Sequence, residues 1–188
     1  MAALADLSQA AAALSRALTV AGIRHAVSGA VAMAAHGHVR ATQDLDVLVV
    51  ADAVRLPQVF EIVRGLGFIG DDRALLEAIR DRYVAALCRG PLAIEILVPV
   101  LPYHRTVCDR AVRRSLLGED VPFVTPEDLI VLKMLWRRAK DVADIHALIA
   151  TAPSLDAEYV RRTLADILPA EDSRHAELAD WLTRFRRP

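Results

Sequence analysis

The run Asp44-Leu45-Asp46-Val47-Leu48-Val49-Val50 narrows the choice of fold more than any other stretch. It is rich in β-branched residues and reads as a strand. Side chains alternate across a strand, so Asp44 and Asp46 leave one face together while Leu45 and Val47 leave the other. A strand with an apolar face and paired acids belongs in a sheet covered on one side, and the segments around it support that reading.

Upstream, Leu4, Leu7, Ala11, Leu14 and Leu18 follow a 4-3 spacing that predicts a helix stopped near Gly22. Residues 24–27 read as a short strand with Ser28-Gly29 as its sharp exit, and residues 30–36 as an Ala-rich helix ending near Gly37. Residues 54–66 read as helical and 71–80 as a short helix or ordered loop. Residues 83–89 and 92–98 read as two strands joined by Gly90-Pro91, which is hairpin chemistry. Residues 107–117 are read as a strand turning at Gly118-Glu119-Asp120. From Thr125 the chain is read as helical, with Thr125 as N-cap, Pro126 at the first helical position and Asp128 three residues on. Three or four helices follow, broken near Thr151-Ala152-Pro153 and Leu168-Pro169.

Strands gather between residues 24 and 124 and helices after 125. The expected fold is α/β (α+β): a small mixed β-sheet with flanking helices, followed by a C-terminal helical bundle. The expected division is a sheet domain over 1–124, carrying the N-terminal helix, and a helical region over 125–188 packed on it. With 54% hydrophobic residues the chain buries a sizeable core and is not a disordered segment. A net charge of −1 gives no global field toward nucleic acid, so any such contact needs a local patch. Cys88 and Cys108 lack the spacing of a disulfide framework or a Cys-based zinc site. No window of 18 uninterrupted apolar residues and no basic leader are present, so no membrane contact and a cytoplasmic location are expected.

Two carboxylates on one strand face repel unless protonated or bridged by a cation, and hard oxygen ligands suit Mg²⁺ or Mn²⁺. The bland alternative is a strand that begins at a polar turn, with Asp44 capping and Asp46 solvated. Glu95 sits within LAIEILV, where an acid is rarely buried alone. It is either a third metal ligand beside Asp44 and Asp46, a residue on a solvent-facing side, or a partner of an arginine such as Arg89. Ser28-Gly29 offers a small turn where a phosphate can approach the backbone, or simply a tight strand-to-helix turn. Arg40 is read as a phosphate clamp, a partner of the acids or a loop residue. Lys133, within LIVLKMLW, either reaches a triphosphate or snorkels to water. Lys140, Asp141 and Asp144 are read as a solvated helix face, and the histidines and serines offer no metal or hydrolase pattern.

The run VSGAVAMAAHGHVRATQDLDVLV resembles the signature of the polymerase-β-type nucleotidyltransferase superfamily, in which strand, Gly-Gly or Gly-Ser turn, helix and Asp-x-Asp strand occur in this order. The closest flavour is the minimal enzymes grouped with AbiEii-type toxins, with their Arg-x-Thr-x-Asp-x-Asp run, here Arg40, Thr42, Asp44 and Asp46. The stretch VTPEDLIVLKMLWRRAKDVADIHAL is similar to their C-terminal helices, matching Lys133 and the pair Lys140-Asp141. The resemblance covers roughly residues 22 to 150. Two positions depart from it: Ser28 stands for the first Gly of the commoner turn, and Glu95 stands where Asp is usual.

The resemblance implies a nucleotidyltransferase that moves a nucleoside monophosphate from an NTP to an acceptor hydroxyl by a two-metal mechanism. Asp44, Asp46 and Glu95 are the expected catalytic and metal-holding residues. Ser28, Gly29, Arg40, Thr42, Lys133 and Asp141 are the expected nucleotide contacts, with Mg²⁺ or Mn²⁺ as cofactor. The acceptor is an RNA such as tRNA, a protein or a small molecule, and Arg105, Arg110, Arg113, Arg114, Arg137 and Arg138 are the candidate basic patch for RNA. The other reading is a catalytically weak or inactive nucleotide- or partner-binding module, such as one half of a toxin–antitoxin pair with a cognate antitoxin protein.

Overall fold

The computed structural model describes residues 2–152 and 154–185, so part of the expected break at Pro153 lies outside the described residues. By contact, Met1–Ala35 with Val39–Val124 form one compact unit, and His36–His38 with Thr125–Pro188 form another.

The first unit is built on a six-stranded sheet. Helix α1 (Ala2–Val20) is followed by β1 (Arg24–Val27), α2 (Gly29–Ala35) and β2 (Asp44–Val50). Then come α3 (Leu56–Arg64), α4 (Asp72–Arg82), the hairpin β3 (Val84–Arg89) and β4 (Leu92–Leu97), α5 (Pro102–Arg110), and the hairpin β5 (Val112–Leu116) and β6 (Glu119–Phe123). The strand order is β3-β4-β2-β1-β6-β5. β2 runs antiparallel to β1 and parallel to β4, and β1 runs parallel to β6, so the sheet is mixed. The 4-3 stripe of α1 buries Leu7, Ala11, Leu14 and Leu18 against β6, β1 and α3. Helix α5 lies on β1 and β2, and α4 on β3.

The second unit is helical: α6 (Pro126–Trp136), α7 (Ala139–Thr151), α8 (Ala157–Ile167) and α9 (Ser173–Phe185). Helix α6 packs on α7 and α8, and both of those pack on α9. The Thr125 side chain accepts from the Asp128 N–H at 3.1 Å and its hydroxyl donates to Asp128 Oδ2 at 2.8 Å, which fixes where α6 begins. The fold is therefore the expected mixed sheet with flanking helices and a helical C-terminal part.

Two local expectations fail. Residues 107–117 are not one strand, because Val107–Arg110 complete α5 before β5 starts. Pro102 supplies the preset first turn, Tyr103 and Val107 make a buried stripe four residues apart, and His104 Nδ1 accepts from the N–H groups of Val100 (3.0 Å) and Leu101 (3.1 Å). The following turn is Leu117-Gly118, both at positive φ (53° and 84°), so Glu119 and Asp120 belong to β6 rather than to the turn.

Candidate active site

β2 alternates as its sequence demands. Asp44 and Asp46 are half-buried, whereas Leu45, Val47 and Val49 are fully buried on the other face. β4 repeats the pattern, with Ile94 and Ile96 buried and Glu95 half-buried. The parallel register pairs Asp44 with Ala93 and Asp46 with Glu95, and residues paired in this way share a face. The three acids therefore stand on one side of the sheet, Asp44 and Asp46 two residues apart on β2 and Glu95 one strand over, about 5 Å from Asp46 between backbones. β3 adds Ala86 opposite Glu95 and Cys88 opposite Ala93, both exposed. The acids thus border a floor of small side chains. Arg89, the alternative partner considered for Glu95, lays its guanidinium 4.5 Å over the Phe68 ring and donates to the Leu66 carbonyl at 3.0 Å.

The turn before α2 is fastened to the acid strand. The Ser28 N–H donates to the Asp46 carbonyl at 2.8 Å. Gly29 has φ +59°, and a Cβ there would fall 1.8 Å from Asp46 Oδ2 and 2.7 Å from its Cγ. Glycine is thus required twice over, by conformation and by the carboxylate lying against its Cα. At the other end of the site the Thr42 hydroxyl accepts from the Asp44 N–H and donates to the Asp44 carbonyl, each at 3.2 Å, pinning the start of β2. Arg40 donates to the Ala41 carbonyl at 3.2 Å. The expected residues Ser28, Gly29, Arg40, Thr42, Asp44, Asp46 and Glu95 all belong to this first unit.

Among the described residues no three His, Cys, Asp or Glu side chains are gathered into a metal cage. The donor chemistry suits a hard divalent cation: three carboxylates on adjacent, in-register strands, with the Asp46 carboxylate lying in the space that a side chain at Gly29 would take.

Lys133 and Asp141 lie in the second unit, where they meet each other. The Lys133 ammonium donates to Asp144 Oδ2 at 2.6 Å and stands 3.5 Å from Asp141 Oδ1. Asp141 also accepts from the Arg138 N–H at 3.0 Å and from Arg138 Nε at 2.8 Å. Burial pushes the Asp141 carboxyl up, but the Arg138 hydrogen bonds and the Lys133 charge outweigh it and hold the group below its ordinary value. The solvated helix face expected at Lys140–Asp144 is half wrong: Lys140 is exposed, but Asp141 and Asp144 are buried. The physical reason is Lys133, whose charge in an apolar helix needs anionic partners. The burial of Asp144 against Lys133 goes beyond what the sequence led us to expect. The signal was available, since acids at 141 and 144 share a helix face.

The six candidate RNA-contacting arginines are partly spoken for. Arg113 pairs with Asp120 at 2.5 Å, Arg137 with Glu177 and Arg138 with Asp141.

No protein-family model matches the chain, and no curated protein matches it by sequence. Solved structures do match. An antigenic nucleotidyltransferase-like protein from Paracoccidioides brasiliensis superposes with a TM-score of 0.52 at 16% identity, covering 97% of this chain and 94% of that one. This chain has a nucleotidyltransferase fold. The antibiotic-resistance factor ANT(2'')-Ia superposes in its solution structure with a TM-score of 0.59 at 16% identity, covering 92% of this chain and 95% of that one. Its crystal structure in complex with adenylyl-2''-tobramycin gives 0.55 at 13% identity, with 89% and 94% covered. No described helix is long and apolar enough to cross a membrane.

Proposed function

We propose that this chain is a divalent-metal-dependent nucleotidyltransferase that moves a nucleoside monophosphate from an NTP to an acceptor hydroxyl. The observation that carries the reading is the row formed by Asp44, Asp46 and Glu95 on one sheet face, with Gly29 pressed against Asp46. Asp44 and Asp46 would hold two Mg²⁺ or Mn²⁺ ions, and Glu95 would join them around one. Ions held there supply positive charge that acidifies an acceptor hydroxyl and neutralises a triphosphate. Ser28, Gly29 and the N–H groups that follow them would hold phosphate oxygens, and Thr42 keeps Asp44 in place. Glu95, paired with Asp46 on one side and Ala86 on the other, would also serve as the base that takes the acceptor proton. The run Arg40, Thr42, Asp44, Asp46 favours the AbiEii-type branch of the superfamily. ANT(2'')-Ia, bound to a nucleotidylated small molecule, supports a small-molecule acceptor as one arm of the test, beside tRNA and protein.

The test is incubation with Mg²⁺, each α-labelled NTP, and tRNA, protein or aminated-sugar acceptors. Label should pass to one acceptor class and be lost in Asp44→Ala and Asp46→Ala, while urea midpoints stay close to wild type. Transfer retained by either variant ends the proposal. Metal-dependent NTP binding without transfer to any acceptor replaces it with a nucleotide-binding partner module.

A further inference from the structure

The two edges of the sheet are finished differently. At the β3 edge, Ile69 closes a bridge onto Cys88 through two 2.9 Å backbone hydrogen bonds. At the β5 edge, no backbone group other than those of β6 pairs with the strand among the described residues. β5 is exposed from Val112 to Ser115. An open edge of this kind is a template for another strand.

Three features make this edge selective. Arg113 points to one side and is matched by Asp120 at 2.5 Å, whereas Arg114, on the other side, has neither an ion pair nor a side-chain hydrogen bond among the described residues. Arg114 is the middle residue of the strand, flanked on its own face by Val112 (40% exposed) and Leu116. The antiparallel turn that closes the hairpin carries Leu117 at φ +53°, 66% exposed. Left-handed backbone at such a turn suits Gly, Asn or Asp, and a large apolar residue there is both strained and unburied. A symmetric pairing of two copies centred on this strand would set Arg114 against itself, which like charges oppose.

We propose that β5 is a docking edge for an extended segment of a partner protein, which adds as a seventh strand. The segment carries an acidic residue opposite Arg114, apolar residues two positions to either side over Val112 and Leu116, and an apolar contact with Leu117. Arg114 admits the acidic strand and repels a second copy of the chain. Strain at Leu117 is maintained because the side chain is an anchor.

The test uses the full chain and a fluorescein-labelled peptide, SVVTETVVS, whose second and eighth residues put valine opposite Leu117 in either strand direction, with SVVTKTVVS as the charge-reversed control. Anisotropy should show the acidic peptide binding about tenfold tighter than the basic one, and Arg114→Glu should invert that order. Amide exchange at residues 112–116 should slow when the acidic peptide is bound. Leu117→Gly separates a structural role from a binding one: it should raise Tm by about 2–4 °C through relief of the left-handed leucine, yet weaken the peptide about tenfold. The proposal is overturned by equal binding of both peptides, by unchanged exchange on β5, by undiminished binding to Leu117→Gly, or by a free chain that is already a dimer with β5 amides protected.

Discussion

Replacing Gly29 by alanine tests the contact on which the acid site is organised. Two separate penalties are expected. A left-handed φ of +59° costs an alanine about 1–2 kcal/mol relative to glycine. The new Cβ would also stand 1.8 Å from Asp46 Oδ2. The carboxylate can turn away, but Asp46 Cβ, 3.1 Å off and held by the β2 backbone, cannot follow it. Forcing the side chain off its preferred rotamer adds about 1 kcal/mol, for about 2–3 kcal/mol in all. Gly22 is the control, with φ +64° and nothing within 4 Å of its would-be Cβ, so Gly22→Ala carries only the first penalty. Equilibrium urea unfolding of both variants, each with and without Asp46→Ala, should show an excess of about 1 kcal/mol for Gly29→Ala that shrinks when Asp46 is truncated. On the proposed function, transfer activity should fall much further than stability, about a hundredfold, because the Asp46 carboxylate is displaced by an ångström or more. Equal unfolding energies for the two glycine variants, or undiminished transfer by Gly29→Ala, would refute the reasoning.

Other outcomes follow from the same coordinates. Lys133→Met removes the cation that Asp144 and Asp141 share, leaving Asp141 only Arg138, and should cost about 3–5 kcal/mol in urea unfolding; a loss below 1 kcal/mol would show that Asp141 and Asp144 do not depend on it. His25 is buried, and that burial holds its imidazole below the ordinary 6.5, with the Ile23 carbonyl pulling the other way and Arg113 adding to the lowering. A depressed histidine binds fewer protons folded than unfolded, so its stabilisation is present above about pH 6.5 and is lost as pH falls. Wild type should accordingly lose more stability than His25→Phe between pH 7.5 and 5.5, and parallel pH profiles would refute this. Burial pushes the Cys108 thiol up to about 12, whereas Cys88 is exposed, so iodoacetamide at pH 8 should give one adduct, at Cys88, by mass spectrometry.

What could be read from the sequence was whatever a short window encodes. Residues 24–27 and 44–50 are strands with the expected bounds, and the N-cap at Thr125 stands where its chemistry put it. Alternation alone placed Asp44 and Asp46 on one face of β2. That Glu95 lines up with Asp46 was a matter of register between residues 49 positions apart, which the sequence could only suggest. Helix α5 was misread because Arg105, Asp109 and Arg110 blur its apolar stripe and its N-terminal support comes from His104 reaching back to Val100. Asp141 and Asp144 look like surface acids in a charged run, and only Lys133 from the preceding helix reveals them as buried. The contact between Gly29 and Asp46 has no local signature, since it joins a turn to a strand seventeen positions later.

The place of β2 in the sheet has one more consequence. It is laddered to β4 from Asp44 to Leu48 and to β1 from Val47 to Val50, and the Ser28 N–H donates to the Asp46 carbonyl, so the stretch that carries the acids is tied along its β4 side and, on the other side, at its inner end. Whatever work is needed to bring like charges close is done when the chain folds. On the proposed function an arriving cation would meet donors already set by one ladder, so its affinity should track the hold of β4 on β2 as much as the identity of the donors.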